Sequence, residues 1–141
     1  MTRFASSVLA LAAMALPAVA QDGPRAFPVG IAYKAISISG FDVQKMGLTL
    51  TVAKSGDGLR GSGSAGCNTW TAGVILRDDQ IDFATIATTR KLCDKNRMKA
   101  EEAFTNSLRG AQRWRIDDKN RLIIEGETAR LLLAADRKSG K

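Results

Sequence analysis

The sequence predicts an α+β domain in which an antiparallel sheet packs on a single helix. Three observations predict it. Short stretches of alternating apolar and polar residues recur along the chain, bounded by glycine and aspartate turns. Only the stretch Lys95 to Arg109 carries the periodicity of an amphipathic helix. After it, strand patterns follow one another through short links, as in hairpins.

The first twenty residues read as a signal peptide. Arg3 supplies a positive start, Phe4 to Leu16 a short apolar run, and Ala18, Val19 and Ala20 a small-residue cleavage site before Gln21. That run is too short for a permanent span. An uncleaved anchor is the alternative, and no cysteine follows the run to carry a lipid. Cleavage after Ala20 removes one arginine and no acid, so the net charge falls from +7 to +6 and 121 of the 141 residues remain. That is one domain, large enough to bury a core without metals.

Residues 21–30, with Pro24, Pro28 and two glycines, read as a flexible lead-in, and residues 31–135 as the domain. Ile31 to Ser39 is a strand pattern in which Tyr33 and Ile36 fall on opposite parities, which predicts a bulge. Leu48, Leu50 and Val52 alternate with Thr49, Thr51 and Ala53, and the run Ser55 to Gly58 makes a hairpin turn. Leu59 to Ala65 is glycine- and serine-rich; it lacks the lysine and the strand-to-helix setting of a phosphate cradle. Trp70 lies opposite Thr69 and Thr71 and is expected in the core with its ring N–H bonded, rather than as an exposed stacking platform. Arg77 to Asp79 form a turn before a half-buried strand carrying Ile81 and Phe83.

Asp94 is placed to cap the helix at its start and Gly110 at its end, with Met98, Ala100, Phe104 and Leu108 near one face. Glu101 lies close to that face, and a carboxylate near a core needs a partner; Arg90 is the expected one. Gln112 to Ile116, Leu122 to Glu125 and Ala129 to Ala134 complete the strands, with a turn over Asp117 to Asn120. Residues 136–141 form a charged tail.

Cys67 and Cys93 are the only cysteines, 26 positions apart, and the chain has no histidine. Two lone cysteines cannot build a zinc site, so no metal and no cofactor are expected. In an oxidising compartment they form a disulfide; the alternative is a pair of buried thiols, and the export signal favours the bridge. Without histidine there is no Ser-His or Cys-His dyad, and the paired aspartates at 78–79 and 117–118 sit in apparent turns. The chain is therefore expected not to be an enzyme.

The run GSGSAGCNTWTAG, then IATTRKLC, then a helix containing EEAF, resembles the META domain family, the HslJ-like heat-shock and envelope proteins. Its motif positions fall here on Gly66, Cys67 and Asn68, on Thr89, Arg90 and Cys93, and on Glu101 and Phe104. Where the family pattern has a tryptophan early in the first strand, this chain has Tyr33. The resemblance implies a strongly bent, barrel-like antiparallel sheet packed on one helix. It also implies a Gram-negative periplasm and a role in envelope maintenance or stress tolerance, exerted through an unidentified protein partner or small ligand.

An apolar or anionic envelope component, a lipid or lipopolysaccharide, is the alternative target. Arg109, Arg113, Arg115, Lys119 and Arg121 cluster within thirteen residues and form a candidate surface for peripheral contact with anionic groups. Their bland reading is a solvated strand face. Export removes the protein from nucleic acid, and the mature chain holds no apolar run long enough to span a membrane.

Overall fold

A computed structural model describes residues 25–138, so the signal peptide expected over residues 1–20 lies outside the described residues. Nine strands and one helix follow in order: β1 Ala32–Ile38, β2 Phe41–Asp42, β3 Thr49–Ser55, β4 Gly58–Ser64, β5 Thr69–Arg77, β6 Gln80–Thr88, α1 Lys95–Arg109, β7 Ala111–Ile116, β8 Leu122–Gly126 and β9 Arg130–Ala135. A short 3-10 turn, Gln44–Met46, lies between β2 and β3.

Every pairing is antiparallel, and β1 pairs with both β3 and β9. The sheet thereby closes into an eight-stranded barrel, with β2 a short addition to the edge of β1. Closure removes the exposed edges that an open sheet of this size would present. The bulge predicted in β1 is present: its register against β9 shifts between Ala35 and Ser37. That shift turns both Ala35 and Ile38 inward, which strict alternation forbids.

The hairpins are short because their turns suit tight reversal. Gly56, at φ +58°, and Asp57 link β3 to β4, and Asp78, at φ +53°, with Asp79 links β5 to β6. The glycines of β4 serve packing. A Cβ on Gly61 would lie 3.0 Å from the Trp70 ring, and one on Gly63 would collide with the carbonyl of Thr49. Trp70 is accordingly buried, and its indole N–H donates to Thr49 O at 3.0 Å.

Barrel and helix share one core. Leu48, Leu50, Leu108, Leu122, Leu131 and Leu133 are fully buried. Asp94 caps α1 as predicted, its carboxylate accepting from the backbone N–H of Asn96 and Arg97. The helix packs on β6, β1 and β9 and sends Phe104 against Trp70, ring centroids 5.9 Å apart. It closes the barrel end at which β1 and β6 finish and β5 begins. The other end carries the turns at 56–57, 78–79 and 117–121 together with the segment entering β1.

Of the lead-in expected over residues 21–30, residues 25–30 are described, and within them the chain is held to the barrel. Phe27 is buried with its ring edge-on to Trp114, centroids 5.0 Å apart, and Gly30 N donates to Val52 O at 2.7 Å. An aromatic side chain can bury enough apolar area to outweigh the ordering of a few proline-flanked residues. At the other terminus, Asp136 N is bonded to Ala32 O at 2.8 Å, which anchors the start of the charged tail.

Candidate functional site

The family-motif residues meet at the helix end of the barrel. Gly66, at φ +97°, turns the chain where a Cβ would press on Leu48 and on the carbonyl of Met46. The turn brings Cys67 into a disulfide with Cys93 and sends Asn68 inward, where it is buried. The Asn68 side-chain amide donates to both Glu101 oxygens, at 3.0 and 3.1 Å, and to Lys91 O at 3.0 Å. Its own oxygen accepts from Thr89 Oγ1 at 2.9 Å and Lys91 N at 2.7 Å. The Asn68 backbone N–H donates to Glu101 Oε2 at 2.9 Å.

The expected partner of Glu101 is thereby corrected. Glu101 is buried against Asn68, whereas Arg90 is exposed. Drawing a guanidinium into that corner would cost its hydration, while an amide and a backbone N–H satisfy the carboxylate more cheaply. Phe104, one turn along the helix, completes the corner on the apolar side. Bonded on every side and buried at Asn68 and Glu101, this cluster holds the backbone of three segments in place. An open cleft of about 500 Å³ lies against the helix side of Glu101, between Thr88, Lys95, Met98 and Thr105.

Three of the five predicted basic residues sit in separate ion pairs. Arg113 binds Asp79 at 2.7 Å, Arg121 binds Asp117 at 2.7 Å, and Arg115 lies 3.7 Å from Glu125, which Arg130 also engages at 2.8 Å. Arg109 donates to Asn106 Oδ1 at 2.9 Å, and Lys119 is exposed in the β7–β8 turn. Each arginine of β7 thus faces a carboxylate, which offsets much of the positive field inferred from sequence alone.

An open groove of about 670 Å³ lies at the barrel end opposite the helix. Trp114 and Ile116 line it from β7, Ala26 from the entering segment, and Asp78, Asp79 and Asp118 from the turns. Trp114 is fixed on two sides: its indole N–H donates to Asp78 O at 3.0 Å and its backbone N–H to Asp79 O at 2.8 Å. Asp117, at the groove edge, accepts from the backbone N–H of Lys119 and Arg121 and from Arg121 Nε at 2.8 Å. The hydrogen bond from Arg121 holds the Asp117 carboxyl below its ordinary pKa. A group so held is ionised at neutral pH and is not a proton donor there. A smaller cleft of about 360 Å³ opens where β6 and β7 part, between Ile75, Ile81, Ala111 and Arg113.

Sequence reasoning placed Trp114 in a strand and Asp78, Asp79, Asp117 and Asp118 in turns without bringing them together. The available signal was two double-aspartate turns, each beside a strand end. Among the described residues, no group of three or more His, Cys, Asp or Glu side chains could hold a metal ion, and no helix is long and apolar enough to cross a membrane.

A family model described as the META domain matches residues 29–139. An NMR structure of a protein from Burkholderia xenovorans is similar in fold, with a TM-score of 0.63 and 18% identity, over 77% of this chain and 83% of that one. A comparison with curated protein sequences finds none that matches.

Proposed function

The chain belongs to the META domain family, and on that footing we propose that it is an exported, non-catalytic binding protein of the cell envelope. Its role is envelope maintenance or stress tolerance, exerted by holding a small amphipathic ligand or a partner's side chains. The observation that carries this reading is the groove over Trp114, where Trp114, Ile116 and Ala26 lie among the carboxylates of Asp78, Asp79, Asp117 and Asp118 and the guanidinium groups of Arg25 and Arg115. Binding sites commonly combine an apolar surface with a few polar groups that fix orientation.

Two features support the non-catalytic part. The chain has no histidine to act as a base near neutrality. Of the groove carboxylates, Asp79 is tied to Arg113 and Asp117 to Arg121. Export is supported by the signal-like first twenty residues and by the disulfide.

The test is titration of the mature protein with the neutral fluorescent probe phenylnaphthylamine. One-to-one saturable binding is expected. Ala26→Phe, at an exposed rim position, should weaken it by about fivefold, equivalent to about 1 kcal/mol of lost contact. Absence of saturation, or binding indifferent to Ala26→Phe, would sink the groove reading. Mass spectrometry of the periplasmic protein tests export: an N-terminus at Gln21 is expected, and an intact Met1 would refute cleavage.

A further inference from the structure

The loop before α1 presents a surface that neither the groove nor the polar corner uses. Leu92 is 88% exposed, the highest figure among the exposed large apolar side chains of the described residues. A single exposed leucine is ordinarily unremarkable. Here, however, the backbone on both sides of it is pinned. Lys91 N donates to Asn68 Oδ1 and Lys91 O accepts from Asn68 Nδ2, while Cys93 is bonded to Cys67. The leucine is held out in water by a frame anchored to buried Asn68 and Glu101.

The charges around it differ from those of β7. Arg90, Lys91 and Lys95 are exposed, and among the described residues none forms an ion pair, whereas Arg113, Arg115, Arg121 and Arg130 each face a carboxylate. Asp94 is the lone acid between Arg90 and Lys99, and it is committed to capping α1 and to Arg97 at 3.5 Å. The loop is therefore an exposed apolar side chain flanked along the chain by three exposed cations that form no ion pair among the described residues.

We propose that this loop docks the protein on a bilayer rich in anionic phospholipid. Leu92 enters the boundary between headgroups and acyl chains, and Arg90, Lys91 and Lys95 bind the surrounding phosphates. Cations alone would suit an acidic protein equally well; the exposed leucine among them fits a surface that is anionic outside and apolar just beneath. Pre-formed rigidity removes the ordering cost that a mobile loop would incur on binding. The surface lies at the opposite end of the barrel from the groove, so the two readings succeed or fail separately.

The experiment is co-sedimentation of the mature protein with vesicles of phosphatidylglycerol and phosphatidylcholine, against vesicles of phosphatidylcholine alone. Binding is expected only to the anionic vesicles and should weaken as salt rises. Leu92→Ser should reduce it about tenfold and Lys91→Gln about fivefold. The control pair Arg113→Gln and Arg115→Gln should leave it unchanged. Near-ultraviolet circular dichroism of Leu92→Ser should match the parent, since the side chain touches no core. Failure to bind anionic vesicles overturns the proposal. So does salt-sensitive binding that ignores Leu92→Ser, the behaviour of a charge patch made for an acidic protein, and so does equal loss in the β7 control.

Discussion

The two ends of the barrel solve the same problem, closing an open cylinder, by opposite means. At the helix end a disulfide, a buried amide and a buried carboxylate tie three segments together: the Gly66 corner, the loop before α1 and α1 itself. At the other end one aromatic side chain, Phe27, lies over Trp114, and the remaining space is an open groove. Covalent and buried polar ties make a rigid corner, while at the groove end the ties are hydrogen bonds to turn carbonyls and exposed ion pairs, which open locally at lower cost. The end with the covalent and buried ties is suited to hold structure, and the end with the open groove is suited to admit a ligand.

The sharpest way to break this contrast is at Asn68. Asn68→Ala strips Glu101 of its side-chain donors inside a buried site, and a loss of about 4 kcal/mol is expected in denaturant unfolding. In a double-mutant cycle with Glu101→Ala the losses should be strongly non-additive, whereas Arg90→Ala should change stability by less than about 0.5 kcal/mol. A large Arg90 effect would restore the cation as the partner. Next in size is removal of the bridge: Cys67→Ser with Cys93→Ser should cost about 3 kcal/mol, read from the same unfolding curves.

The covered end should respond less. Phe27→Ala is expected to cost about 2 kcal/mol, since the ring lies at the rim of the core, and to enlarge the groove over Trp114. A cost equal to that of Asn68→Ala would remove the difference between the ends. The smallest effect concerns Asp117, whose carboxyl Arg121 holds below its ordinary range. Such a group stabilises the fold above its unfolded pKa, and that contribution is lost as pH falls through the lowered folded value. Asp117→Asn should therefore be less stable than the parent at neutral pH, with the gap closing in acid. A gap that widens in acid would contradict the assignment.

Much of the architecture was legible in the sequence because it rests on local chemistry. Alternation located the strands, Asp94 and Gly110 bounded α1, and the parity conflict of Tyr33 and Ile36 announced the β1 bulge. Trp70 fell where its polar neighbours required, in the core with its indole N–H bonded. The misreadings came from pairings distant in sequence. Glu101 meets Asn68 from 33 positions away, and opposite charge is a poor guide to partners once desolvation counts. Phe27 was hidden in a proline-flanked stretch whose composition suggests flexibility, and its burial depends on Trp114 arriving from β7. The carboxylates that face the arginines of β7, Asp79 and Glu125, come from another turn and strand, so the local charge run did not disclose them.

The chain has two tryptophans, and the structure sets one toward each end of the barrel, Trp70 near the helix and Trp114 at the groove. Each indole N–H donates to a backbone carbonyl, Trp70 to Thr49 and Trp114 to Asp78, so each reports on its own end. The most direct measurement is therefore a nitrogen-proton NMR titration of the labelled mature protein with phenylnaphthylamine, following the two indole signals. The division of labour described here predicts that the Trp114 signal moves and saturates while that of Trp70 stays in place. Movement of Trp70 with Trp114 unchanged, or no movement of either, would contradict it.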